Sequence, residues 1–129
     1  MLCMVPLPVP GRILGVITAS CHCGRASIRL PRAPDYVSQC NCSLCSKTGF
    51  RGAYYSSDEL VIEGRFDTYV REDVGEPFLK NLRCAHCGIA THWEPLTPPP
   101  HARMGVNARL IDPAALAGVE VRQVDGASW

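Results

Sequence analysis

Seven of the eight cysteines fall into three tight groups: Cys21-His22-Cys23, Cys40-Asn41-Cys42-Ser43-Leu44-Cys45, and Cys84-Ala85-His86-Cys87. Thiols at C-x-C and C-x-x-C spacing sit too close for each pair to cross-link distant segments, and they suit a metal ion better than a disulfide framework. The groups separate into a set of four and a set of three. Four thiolates close a tetrahedral zinc site and make it structural, whereas three leave one position open for water or substrate. The pattern therefore predicts one zinc that holds the fold and a second that does chemistry.

The outer pairs, Cys21-x-Cys23-Gly24 and Cys84-x-x-Cys87-Gly88, both end in glycine. Glycine adopts positive φ without steric cost, so the backbone can curl and aim its N–H groups at sulfur. Two such turns around one zinc would tie the N-terminal strands to the second half of the chain and supply a large share of folding stability. The middle group comes from a single loop. An extended strand points Cys40 and Cys42 the same way, and a turn at Ser43-Leu44 returns Cys45 to join them. Three thiolates with zinc carry a net negative charge, which the nearby Lys47 or Arg51 can offset; either can also attract an anionic substrate. The alternative is that a distant His92 or His101 closes this site into a second structural zinc.

Other residues near these groups carry weaker signals. His22 and His86 occupy the middle of metal-binding turns, where side chains point to solvent. His92, beside Trp93 on an expected strand, is the general-acid candidate, with a packed core histidine as the other reading. Phe50, Tyr54 and Tyr55 follow the three-cysteine loop as core residues or as a pocket wall.

The elements that must position these groups are mostly strands. Arg25 to Leu30 alternates, with Ala26, Ile28 and Leu30 on one face. From Arg103 to Leu110 the same period puts Met104, Val106, Ala108 and Leu110 inward and Arg103, Asn107 and Arg109 outward. Shorter strands are expected at 51–55, 60–63, 65–70, 78–83, 90–93 and 119–124, and the residues leading to Cys21 also read as a strand. One helix is expected near 113–117: Asp112 caps it, Pro113 suits its first position, and Gly118 ends it. Pro98-Pro99-Pro100 reads as an extended loop. Residues 1–11, which include Cys3, read as a poorly ordered tail, and 12–129 as a single domain. The expected class is mainly β, built of several small antiparallel sheets pinned by zinc.

A length of 129 residues and a hydrophobic fraction of 47% describe an ordinary globular domain. A net charge of +1 without any basic run argues against nucleic acid as a partner. The apolar start is short, carries prolines and lacks a basic leader, so no export signal or membrane segment is expected, although Ala19-Ser20-Cys21 faintly echoes a lipoprotein cleavage site. A reduced, cytoplasmic protein is the expectation.

Taken in order, Cys21-His-Cys23-Gly24, Cys40-Asn41-Cys42-Ser43-x-Cys45-x-Lys47-x-Gly49 and Arg83-Cys84-x-x-Cys87-Gly88 resemble the glutathione-dependent formaldehyde-activating enzyme family, which includes centromere protein V. The similarity runs from about Gly15 to Val124. It implies a β-tent fold like that of the zinc-binding Rab accessory proteins. It assigns Cys21, Cys23, Cys84 and Cys87 to a structural zinc and Cys40, Cys42 and Cys45 to a catalytic one. It further implies a carbon–sulfur lyase that adds glutathione to formaldehyde, or reverses that addition, with a small-molecule thiol and an aldehyde as partners. Lys47 or Arg51 would then hold a carboxylate of the thiol compound, with His92 passing the proton. Two rival readings are a non-catalytic zinc module that binds a protein partner and a redox or zinc sensor.

Overall fold

Alternation of apolar and polar residues makes strands of most of this chain. The computed structural model describes residues 14–97 and 103–128. Its strands are β1 (Leu14–Ser20), β2 (Ser27–Arg32), β3 (Tyr36–Cys40), β4 (Gly52–Ser56), β5 (Val61–Glu63), β6 (Phe66–Tyr69), β7 (Leu79–Cys84), β8 (Ala90–Pro95), β9 (Arg103–Asn107) and β10 (Glu120–Val124). A small sheet runs β1-β2-β5, and a larger one runs β10-β3-β4-β9-β8-β7-β6. The expected tail at 1–11 with Cys3, the proline run 98–100 and His101 lie outside the described residues.

The core sits between the two sheets. Ile17, Ala19, Ile28 and Leu30 from the small sheet meet Val37, Ala53, Tyr55 and Val106 from the large one, and Ala108, Ile111 and Ala115 close one end. A buried Leu or Ile contributes about 1.5–3 kcal/mol, an alanine far less. Several of these positions are alanine, so the apolar core is thin and leaves room for metal to matter.

Register decides which side chains share a face. Ser38 pairs with Gly52, Gly52 with Asn107, Ala53 with Val106, and Val106 with His92. Val37, Ala53, Val106 and His92 therefore point to the core. Ser38, Cys40, Gly52, Tyr54, Gly105 and Trp93 lie on the opposite, outer face. The outer face is paved with rings: Tyr54 stands 5.8 Å from Tyr36 and 6.2 Å from Trp93, centroid to centroid. Tyr54 folds down over Gly52, where a Cβ would meet its hydroxyl at 2.6 Å.

Three details depart from the sequence expectations. The expected helix near 113–117 forms only as a 3-10 turn, Pro113–Leu116, although Asp112 caps it through Ala114 N–H (2.9 Å) and Gly118 follows at φ +79. The α-helix is instead α1, Ser43–Thr48, where a simple turn was expected. Asn107 lies on the outer face as expected, opposite Gly52, but is buried there. Its side-chain amide donates to Ala90 O (2.8 Å), and its oxygen accepts the N–H groups of Arg51 and Arg109 (3.3 and 3.1 Å), so its burial is satisfied. The sheets are antiparallel except where β10 pairs with β3. There the chain leaves β9, crosses over β4 and β3 through residues 108–119, and must arrive parallel.

Candidate metal centres

The first centre is built at two turns. Cys21 and Cys23 occupy the β1–β2 turn of the small sheet, and Cys84 and Cys87 the β7–β8 turn of the large one. Gly24 and Gly88 sit at φ +82 and +80. That curl brings Arg25 N–H to Cys23 Sγ (3.5 Å), Ala26 N–H to Cys21 Sγ (3.4 Å), and the N–H groups of His86 and Cys87 to Cys84 Sγ (3.4 and 3.5 Å). The four sulfurs lie within 4.8 Å of one another, with Cys21 to Cys23 at 3.6 Å and Cys23 to Cys84 at 3.7 Å. A zinc tetrahedron with Zn–S near 2.3 Å has edges of about 3.8 Å, so the set fits zinc as it stands. The N–H groups of Cys23 and Ile89 lower the Cys87 thiol to about 6. Ala26 and Phe66 pack against the cluster.

The second centre is local. Cys40 ends β3, Cys42 is the N-cap of α1, and Cys45 lies in its first turn. Their sulfurs also lie within 4.8 Å of one another. Cys42 Sγ accepts the Cys45 N–H at 3.4 Å, doing the work of a serine cap, and Cys40 Sγ accepts the Cys42 N–H at 3.4 Å. Gly49, at φ +75, closes the helix with its N–H on Cys45 O (2.9 Å). Burial raises the Cys42 thiol, but the Cys45 N–H, the neighbouring thiols and the Leu44 N–H outweigh it and hold Cys42 low. Burial, followed by the interaction with the Cys42 sulfur and its charge, pushes Cys45 up. Among the described residues, no histidine, aspartate or glutamate joins these three sulfurs.

A cation absent from the sequence reading stands at this second centre. Arg71, in the loop after β6, reaches back to Ser43 Oγ (3.4 Å), next to Cys42 in sequence, while Asp73 grips it through two bonds of 2.9 and 2.6 Å. No local pattern marks Arg71, because the loop brings it from far along the chain. The C-terminal residues are the other omission. Asn41 N–H donates to Val124 O (3.1 Å), its side-chain amide donates to Asp125 (2.9 Å), and its oxygen accepts Ala127 N–H (2.9 Å).

The remaining expected site residues lie elsewhere. His92 is on the core face, opposite Cys40. Its Nδ1 shares a hydrogen bond with Thr91 Oγ1 (2.9 Å), and its ring meets Phe66 edge-on at 5.0 Å. Burial holds it below its usual pKa, hence neutral at pH 7, and its Nε2 makes no hydrogen bond; Glu94 is 3.4 Å away. Arg51 bonds Gln39, which shares the core-side face with Val37, and it lines a groove with Arg109. Lys47 is exposed on α1 two residues after Cys45, which turns it about 200° away around the helix. His22 and His86 are exposed, as expected. Tyr55 is in the core, whereas Tyr54 is on the outer face.

Fold and sites together define a small β protein with one complete and one incomplete thiolate centre, both able to hold a metal ion such as zinc. A sequence model described as glutathione-dependent formaldehyde-activating enzyme matches residues 16–120, and the chain belongs to that family. No curated protein matches it. Among solved structures it is similar to a Rhodobacter sphaeroides protein, a Northeast Structural Genomics target, at 26% identity and a TM-score of 0.62, covering 81% of this chain and 99% of that one. Among the described residues no helix is long and apolar enough to cross a membrane.

Proposed function

We propose that this protein is a zinc-dependent carbon–sulfur lyase that forms or cleaves the adduct between a glutathione-like thiol and formaldehyde. The observation that carries the reading is the contrast in ligand count. Cys21, Cys23, Cys84 and Cys87 complete one set, while Cys40, Cys42 and Cys45 converge without a fourth His, Cys, Asp or Glu among the described residues. Cys40, Cys42 and Cys45 would hold a zinc ion there, and a zinc without a fourth protein ligand would stabilise a substrate sulfur as its thiolate. In the forward direction the sulfur–carbon bond forms as the carbonyl π bond breaks, and the thiol proton ends on the new hydroxyl. The reverse step returns it, and no oxidant or reductant is needed.

The chain's own contribution is electrostatic. Arg71, held by Asp73 beside Cys42, offsets the negative charge of three thiolates and holds a carboxylate of the incoming thiol compound. Of the other candidates, His92 is buried on the core face, Arg51 bonds Gln39 and Lys47 is exposed on α1, and this reading rests on Arg71 in their place. Seven free thiols in metal-binding groups suit a reducing cytoplasm.

Calorimetric titration of zinc-loaded protein with glutathione, paired with S-methylglutathione, tests the reading. Binding of the free thiol alone is expected. Equal binding of both would mean that the peptide is recognised without sulfur ligation, and no binding of either would remove glutathione as the thiol.

A further inference from the structure

The last strand and the turn beyond it are built onto the three-thiolate loop. β10 runs beside β3 in register, with Val124 opposite Cys40. The chain then makes a tight turn at Gly126–Ser128 in which Ser128 Oγ donates to Asp125 (2.7 Å) and Ser128 N–H to Asp125 O (3.2 Å). Asn41, between Cys40 and Cys42, grips three successive parts of that segment: Val124 O, the Asp125 carboxylate and Ala127 N–H. A Cβ at Gly126 would stand 2.5 Å from Cys40 Sγ and 3.4 Å from Cys42 Cβ, so the Gly126 backbone itself lies against the sulfur. Residues 125–128 fall outside the span matched by the family model, residues 16–120.

From this packing we propose that the Asp125–Ser128 turn is a fixed wall of the three-thiolate centre. Asn41 is its positioning residue, and Gly126 is the residue whose missing side chain lets the wall touch Cys40. The wall shields Cys40 from solvent, slows metal loss from an otherwise incomplete site, and confines an incoming thiol to the sides that the turn leaves open. The inference rests on the three thiolates holding a metal and does not depend on which thiol the metal receives. Two side-chain hydrogen bonds tie Asn41 to the turn, and each contributes a factor of about five to a closed–open equilibrium. Their joint loss is worth roughly 25-fold.

The test uses the full chain, its Asn41→Ala variant and its Gly126→Ala variant. Zinc release to a chromogenic chelator is followed in loaded protein. Alkylation of Cys40 and Cys45 by iodoacetamide is followed by mass spectrometry in protein stripped of the faster-released zinc ion alone, with the four-thiolate set still loaded. Both variants are expected to release one of two zinc ions at least about tenfold faster, to leave the other ion's release unchanged, and to alkylate Cys40 about fivefold faster relative to Cys45. Retention of the slow ion reports an intact fold. If Asn41→Ala loses both ions together, Gly126→Ala decides, because it leaves the Asn41 bonds unaltered in sequence. Unchanged release and unchanged Cys40 alkylation would overturn the wall. Glutathione titration is a separate measurement, so failure of the substrate reading leaves this result standing.

Discussion

The two thiolate centres use the same ligand and differ in what they join. The first gathers cysteines 61 residues apart in sequence and spans two sheets. The second draws all three from one strand end and one helical turn, Cys40 to Cys45, and bridges nothing that the backbone does not already join. A metal that closes a long loop contributes to the stability of the whole fold, whereas one bound within a capped helical turn does not have to. Ligand number and sequence separation thus point the same way: the long-range set holds the fold, and the local set is free to exchange ligands.

The severest challenge to that division is Cys84→Ser. It removes a buried ligand from the closed set and should cost several kcal/mol, enough to leave the protein largely unfolded by circular dichroism. Retained cooperative unfolding at the original temperature would mean that the sheets need no clip. Cys42→Ser is the matching change at the other centre. A serine oxygen can still cap α1 through Cys45 N–H, so the fold should persist with zinc content lowered by one ion and that ion's affinity reduced more than about 100-fold, beyond what an outer-shell change costs.

Two smaller effects sharpen the contrast. Arg71→Ala should keep both ions yet weaken an anionic thiol by about tenfold, the worth of one charge-assisted bond, with Arg71→Lys recovering part of it. Calorimetry on the two variants measures this. His92 tests the first region through pH. Its folded pKa is lowered, so below about 6.5 the unfolded chain takes up a proton that the buried imidazole does not. Its contribution is intact at neutral pH and is lost as pH falls from there. Thermal midpoints at pH 7 and 5 should therefore differ less in His92→Gln than in the parent protein.

Local chemistry was legible in the sequence, and long-range placement was not. Both cysteine sets followed from spacing and count alone, and the faces of β2 and of β9 up to Val106 followed from alternation. α1 escaped because its N-cap is a thiol, Cys42, in a role usually held by serine or threonine, and its residues 43–48 are mediocre helix formers. Asn107 keeps the outer face that alternation gives it, opposite Gly52, yet is buried there, because backbone groups of Arg51, Ala90 and Arg109 use its side chain as a partner. Arg71 and Gly126 reach Cys42 and Cys40 through loop closure and a crossover, which no window along the chain can display. His92 looked like an acid on residue type, and only strand register shows which face it occupies.

The parallel pairing of β10 with β3 also sets an order of assembly. A chain emerging from the ribosome holds every ligand of the two-sheet clip once Cys87 has been made. The three-thiolate loop has all its sulfurs earlier still, yet its neighbouring strand and the turn against Cys40 arrive only with the last residues described. Domains form from the N-terminal side during synthesis at roughly 5–20 residues per second. The scaffold can therefore be committed while the reactive sulfurs remain open to a metal donor, and the arrival of residues 120–128 is the step that shuts one side of the door.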